Sequence, residues 1–203
     1  MRLLFPTLCA LVLSACGSSG DSGHTGDTSS GKSVSDDRPT VALIMKSLAN
    51  EFFVTMADGA RQHQSQSEGA YDLIVNGIKN ETDLAQQVAL IDQMIASGVD
   101  AIVVAPADSK AVVPALARAA AAGIVVVNID NQLDADTLAE YELRIPFVGP
   151  DNFAGAEKVG NYLAATMEAG QSVAILEGVP TTYNSQRRTA GFLKAMNDAE
   201  MSC

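Results

Sequence analysis

Four stretches of this chain gather side chains able to hold a small molecule, and none gathers the set needed to transform one. Lys46-Ser47-Leu48-Ala49-Asn50 runs on to Phe52-Phe53, and Asp130-Asn131-Gln132, residues 181–186 and Arg187-Arg188 complete the group. A cation, an anion, amides and two adjacent aromatics supply donors, acceptors and flat apolar faces. That combination suits a neutral polyhydroxy ligand bound and released unchanged. No Ser-His-Asp set, Cys-His pair or glycine-rich dinucleotide turn accompanies them, so neither an enzyme nor a cofactor is expected. His24 and His63 have no ligating partners at usable spacing, and no metal site is expected. One motif does match a phosphate-binding loop letter for letter: Gly26-Asp27-Thr28-Ser29-Ser30-Gly31-Lys32-Ser33. Such a loop needs a strand to deliver it and a helix to follow, so that amides converge on phosphate. Val34-Ser35-Asp36-Asp37-Arg38-Pro39 cannot start an apolar-faced helix, and no strand precedes Gly26. The match is an accident of composition.

The chain that must position these residues has 203 of them, 47% hydrophobic and 18% charged, enough for one or two packed domains. A net charge of −11 argues against phosphate-backbone or anionic-lipid binding. From residue 41 onward, apolar runs start at residues 41, 71, 101, 124, 146 and 173. Continuous apolar runs at this spacing read as strands buried on both faces and joined by crossover helices. Leu84, Val88, Ile91 and Ile95 form one helical stripe, and Phe153, Ala156, Val159, Tyr162, Leu163 and Met167 form another. Asp108 or Ser109 can cap the Ala-rich helix ending at Gly123, which Pro114 should kink. Asp151 and Asn152 can cap the helix of Phe153. The class is α/β with parallel sheets. Ligands of such sheets bind beyond the carboxyl ends of the strands, and that rule selects the four stretches above.

Residues 128–144 hold no clear helical stripe and read as a crossing between two lobes. The expected division is therefore a first α/β lobe over 39–130 and a partial second lobe over 131–203. The first lobe is preceded by an address and a tether. Arg2 and the short apolar stretch 3–13 have the form of a secretory signal, residues 1–15. Residues 16–38 are Gly/Ser-rich and almost without apolar side chains, as in a flexible linker. Leu13-Ser14-Ala15-Cys16 resembles the lipobox of bacterial lipoproteins, which implies cleavage before Cys16 and lipid on its thiol. With Cys9 removed and Cys16 acylated, Cys203 has no partner for an intramolecular disulfide.

Over residues 41–200 the chain resembles the periplasmic sugar-binding proteins of the ribose/allose/galactose type, which feed ABC transporters. The motifs are Lys46-Ser47-Leu48-Ala49-Asn50-Glu51-Phe52-Phe53, Val127-Asn128-Ile129-Asp130, Gly149-Pro150-Asp151-Asn152 and Arg188-Thr189-Ala190-Gly191-Phe192. The resemblance implies a sugar or polyol ligand between two doubly wound lobes, a membrane permease partner, a monomer, and an extracytoplasmic location anchored at Cys16. It implies that Asn50 and Asp130 bond sugar hydroxyls, that Phe52 or Phe53 stacks on the ring, and that Arg188 binds from the second lobe. Lys46 matches the allose-type site, and Asn131 stands where ribose binders carry Arg. The family often has Pro where Glu51 stands. Its later second-lobe residues and returning strands have no counterpart, so the resemblance implies a C-terminally truncated chain.

Plainer readings stand beside these. Phe52 and Phe53 are adjacent, so one belongs to the core and the other to a pocket. Asp130 can cap a turn, and Arg188 can be a surface cation beside Arg187. A chemotaxis or autoinducer receptor on the same fold would use the same residues, and a fragment can fail to bind. A sugar-responsive repressor would need a basic DNA-binding helix pair at the N-terminus, where this chain has its secretion signal.

Overall fold

Five parallel strands in the order β2-β1-β3-β4-β5 make the sheet, in a computed structural model that describes residues 38–168 and 170–200. They are β1 (Thr40–Met45), β2 (Asp72–Gly77), β3 (Ala101–Val104), β4 (Val125–Ile129) and β5 (Phe147–Val148). Six helices connect or follow them: α1 (Glu51–Gln66), α2 (Leu84–Ala96), α3 (Val113–Ala121), α4 (Ala135–Glu140), α5 (Asn152–Ala164) and α6 (Tyr183–Asp198). The expected signal 1–15, the Cys16 lipid site, the loop-like motif 26–33 and all of the expected tether but Arg38 lie outside the described residues.

Both sheet faces are covered, as the unbroken apolar strands required. In β1, Ala42 and Ile44 point into a core shared with Ile91 and Met94 of α2 and Leu116 of α3. Leu43 and Met45 point the other way, onto Phe53 of α1. Alternate residues of one strand thus serve two cores.

Five local expectations change. The β4–β5 connection contains α4, because Asp134 accepts the Thr137 N–H at 2.9 Å and caps it. The sheet also continues past residue 130, since Asn128 and Ile129 pair with Phe147 and Val148. No strand ladder forms over 173–176, where Leu176 is 98% exposed; an apolar run makes a strand only where a neighbouring strand takes its backbone bonds. Pro114 lies in the first turn of α3, where its missing N–H costs nothing, so it starts that helix and does not kink it. Asp108 and Ser109 do not cap it either: the N-cap is Val112, without a side-chain bond.

Helices α5 and α6 pack closely through glycine. A Cβ on Gly191 would collide with the Phe153 carbonyl oxygen, and one on Gly160 would meet Ala195 Cβ at 2.6 Å. This close approach sets the position of Arg188 on α6.

Candidate functional site

The carboxyl end of β1 delivers Lys46 and that of β4 delivers Asp130, and the two side chains meet. Lys46 Nζ lies 3.6 Å from Asp130 Oδ2, with each side chain only 10% exposed. The same ammonium sits 5.7 Å from the centre of the Phe53 ring. Asp130 is held in a left-handed backbone conformation, φ 60°. Asn128 fixes that turn: its Nδ2 donates to the Asn131 carbonyl at 2.8 Å, and its Oδ1 accepts the Leu133 N–H at 2.9 Å. Burial pushes the Asp130 carboxyl above its ordinary pKa, against the pull of Lys46 and Arg188; the nearby Glu81 carboxylate adds to the rise.

These groups line a cavity of about 400 Å³ with Asn50, Phe52, Phe53, Glu81, Thr182, Asn184, Ser185 and Arg188. Asn50 caps α1, accepting the Phe52 N–H at 3.0 Å. Phe53 is 4% exposed and belongs to the core, whereas Phe52 is 57% exposed and meets it edge to face at 5.1 Å. Both rings thus reach the cavity wall, but only Phe53 is anchored in the core. Arg188 Nε donates to Asn152 Oδ1 at 2.7 Å, and Asn152 Nδ2 donates to Asn184 Oδ1 at 3.0 Å. Asn184 in turn donates to the Asp130 carbonyl at 3.1 Å, which ties α6 to the turn after β4. Asp151 caps α5 through the N–H groups of Phe153 and Ala154, both at 3.0 Å.

Six of the seven sequence-selected residues line this cavity; Asn131 does not. It is fully buried, donating to the Pro106 carbonyl at 3.1 Å and to Ser109 Oγ at 3.3 Å, and accepting the Asn184 N–H at 3.2 Å. Both amide hydrogens are spent joining its own loop to the β3–α3 loop, and its oxygen holds the start of α6, so the buried side chain serves the fold. Glu81 was missed, although it lies in the loop at the carboxyl end of β2, where the rule that selected the other loops also points. A larger hollow of about 720 Å³ beside α5 and α6 is lined by Ala156, Val159, Ile175, Leu176 and Phe192 among others. Its walls are mostly hydrocarbon, so the polar cavity is the better match to a hydroxylated ligand.

No described helix is long and apolar enough to cross a membrane. No cluster of His, Cys, Asp or Glu able to hold a metal ion occurs among the described residues.

A doubly covered parallel sheet with a polar cavity at its carboxyl end is the arrangement in which open α/β proteins place their small-molecule sites. Residues 41–202 match the periplasmic binding protein domain, and the chain belongs to that family. The D-ribose/D-allose-binding protein of Pseudomonas aeruginosa is 51% identical over 194 residues, which are 96% of this chain and 59% of that protein. The D-allose-binding periplasmic protein of Escherichia coli is 29% identical over 78% of this chain and 51% of its own length. An ABC transporter solute-binding protein from Burkholderia multivorans superposes with a TM-score of 0.79 and 59% identity, over 81% of this chain and 58% of that one. One from Actinobacillus succinogenes with bound D-allose gives 0.74 and 40%, over 80% and 56%. The chain thus spans between half and three-fifths of these relatives.

Proposed function

We propose that this chain is the sugar-recognising part of an extracytoplasmic receptor for an ABC importer, with a monosaccharide such as D-allose or D-ribose as ligand. The single observation that carries the reading is the composition of the 400 Å³ cavity. Two carboxylates, Asp130 and Glu81, are balanced there by two cations, Lys46 and Arg188, around amide and hydroxyl groups. A neutral ligand rich in hydroxyls satisfies such a wall without bringing a charge of its own. The exposed Phe52 ring offers a flat apolar face to the C–H side of a sugar ring. The names of the P. aeruginosa relative and of the A. succinogenes complex favour allose or ribose over other polyols.

In this reading Lys46, Asn50, Phe52, Asp130 and Arg188 contact the ligand. The five-stranded sheet is the first lobe, and α5 and α6 begin the second. The boundary read at residue 130 then moves to the turn at Gly149-Pro150, because β5 still pairs in the first sheet. The receptor acts as a monomer, delivers its ligand to a membrane permease and is held at the membrane by lipid on Cys16.

Isothermal titration with D-allose and D-ribose tests the reading, with Lys46→Met as the site control. The expected result is saturable heat with at least one sugar and its loss in the variant. Absence of heat with both sugars, or equal binding by Lys46→Met, overturns it. For the anchor, Cys16→Ala should move the protein from the membrane to the soluble fraction; unchanged partitioning removes the lipid.

A further inference from the structure

Asn50 cannot offer its whole amide to the cavity. The Phe52 N–H can only donate, so the atom it meets at 3.0 Å is the Asn50 oxygen, and the other end of the side chain is the NH₂ group. One hydrogen of that group goes to Glu81 Oε1 at 2.7 Å, a charge-assisted bond. Glu81 comes from the loop between β2 and α2, and that loop is itself tied down. Ser47 Oγ donates to the Lys79 carbonyl at 2.9 Å, and the Lys79 N–H donates to Gln86 Oε1 at 3.0 Å. Glu81 lines the same cavity as Asn50, Lys46, Asp130 and Arg188.

We propose that Glu81 is the positioning and specificity-determining residue of this wall: it fixes the Asn50 amide and sets its own second oxygen beside the remaining Asn50 N–H. The proposal rests on the reading of the cavity as a sugar site. A donor next to an acceptor is the complement of a hydroxyl, which gives one hydrogen bond and takes another. An ether or carbonyl oxygen can only accept, and a deoxy carbon does neither. Discrimination follows, because the analogue lacking that hydroxyl leaves a charged acceptor without a partner. Glu81 also acts through space on Asp130. The charged groups facing Asp130 are Lys46 from the end of β1, Arg188 from α6 and Glu81 from the β2–α2 loop.

Two experiments separate this proposal from the sugar reading. In the ligand-free protein, NMR follows the Asn50 side-chain NH₂ resonances and the titration of the Asp130 carboxyl. Glu81→Ala should shift the Asn50 resonances, while Glu81→Gln keeps the amide contact and lowers the Asp130 midpoint by removing a like charge. Unchanged resonances in Glu81→Ala and an unmoved Asp130 midpoint in Glu81→Gln overturn the positioning role, whether or not any sugar binds. In calorimetry with D-allose, D-ribose and their monodeoxy derivatives, Glu81→Ala should weaken the parent sugar about tenfold or more. It should also erase the preference over one monodeoxy derivative, and Glu81→Gln should restore much of the affinity. Affinity within about twofold of the parent in Glu81→Ala overturns the specificity role. If the unaltered protein binds no sugar while the NMR shifts occur, the sugar reading falls and the positioning of Asn50 stands.

Discussion

Asn131→Ala should cost this protein stability and leave most of the sugar affinity proposed above, the reverse of what a ligand contact would do. The side chain makes three hydrogen bonds, to the Pro106 carbonyl, to Ser109 Oγ and from the Asn184 N–H, and is fully buried. At about 0.5–1.5 kcal/mol of net contribution each, their loss amounts to about 1.5–4.5 kcal/mol. The upper end applies if the Asn184 N–H and Pro106 carbonyl stay buried and unpaired in the variant. Each kcal/mol moves Tm by about 2–4 °C in a protein of this size. Asn131→Asp is the sharper companion: it keeps the acceptor for Asn184 but turns a donor facing the Pro106 carbonyl into a second acceptor, so it should be no more stable than the alanine variant. Urea unfolding followed by circular dichroism gives the first quantity and calorimetry with D-allose the second. Affinity should fall by less than about tenfold, through Asn184 alone, at a temperature where both proteins are folded. A stability change below about 0.5 kcal/mol, with binding abolished, would return Asn131 to the ligand site and refute the reasoning.

The adjacent aromatics should separate in the same two assays: Phe53→Ala should destabilise by about 3–5 kcal/mol as a core truncation, whereas Phe52→Ala should stay within about 0.5 kcal/mol and lose sugar affinity. Equal destabilisation by both would place both rings in the core. Because burial raises the Asp130 pKa, the native state holds that proton more tightly than the unfolded chain, and the charge costs stability as pH rises from the ordinary carboxylate range through the raised value. The stability of Asp130→Asn relative to the parent should therefore increase with pH across that window, and a pH-independent difference in urea midpoints would contradict the buried charge. Gly191→Ala should cost about 1–3 kcal/mol by forcing α5 from α6, and an unchanged Tm would mean that the helices have room to spare.

Much of this was legible in the sequence because parallel sheets write themselves as unbroken apolar runs. The strand at 41–45 and the stripe of Leu84, Val88, Ile91 and Ile95 lie where the periodicity put them. The residues at 173–176 have the same apolar texture and form no ladder, since composition records burial and not the presence of a neighbouring strand. The short α4 was invisible as a stripe; its signal was the cap, Asp134 placed three residues before Thr137. At the cavity, residue type and strand end were enough for Asn50 and Asp130, whereas the pocket role of Lys46 came mainly from the family resemblance. They failed for Asn131, which differs from Asp130 only in which way one further residue turns. Glu81 escaped notice because a lone carboxylate in a polar loop looks solvated until its amide partner, 31 residues away, is seen.

The left-handed backbone at Asp130 limits what can be inherited at that position. Most side chains there would carry a penalty of about 1–2 kcal/mol, while Gly, Asn and Asp visit such a conformation readily. Aspartate, asparagine and glycine are therefore the residues that carry the least strain at this position. Descendants of this chain that come to favour other ligands should most often carry one of those three at residue 130. Their divergence would be recorded instead at Lys46, Glu81 and Arg188, where the backbone imposes no such restriction.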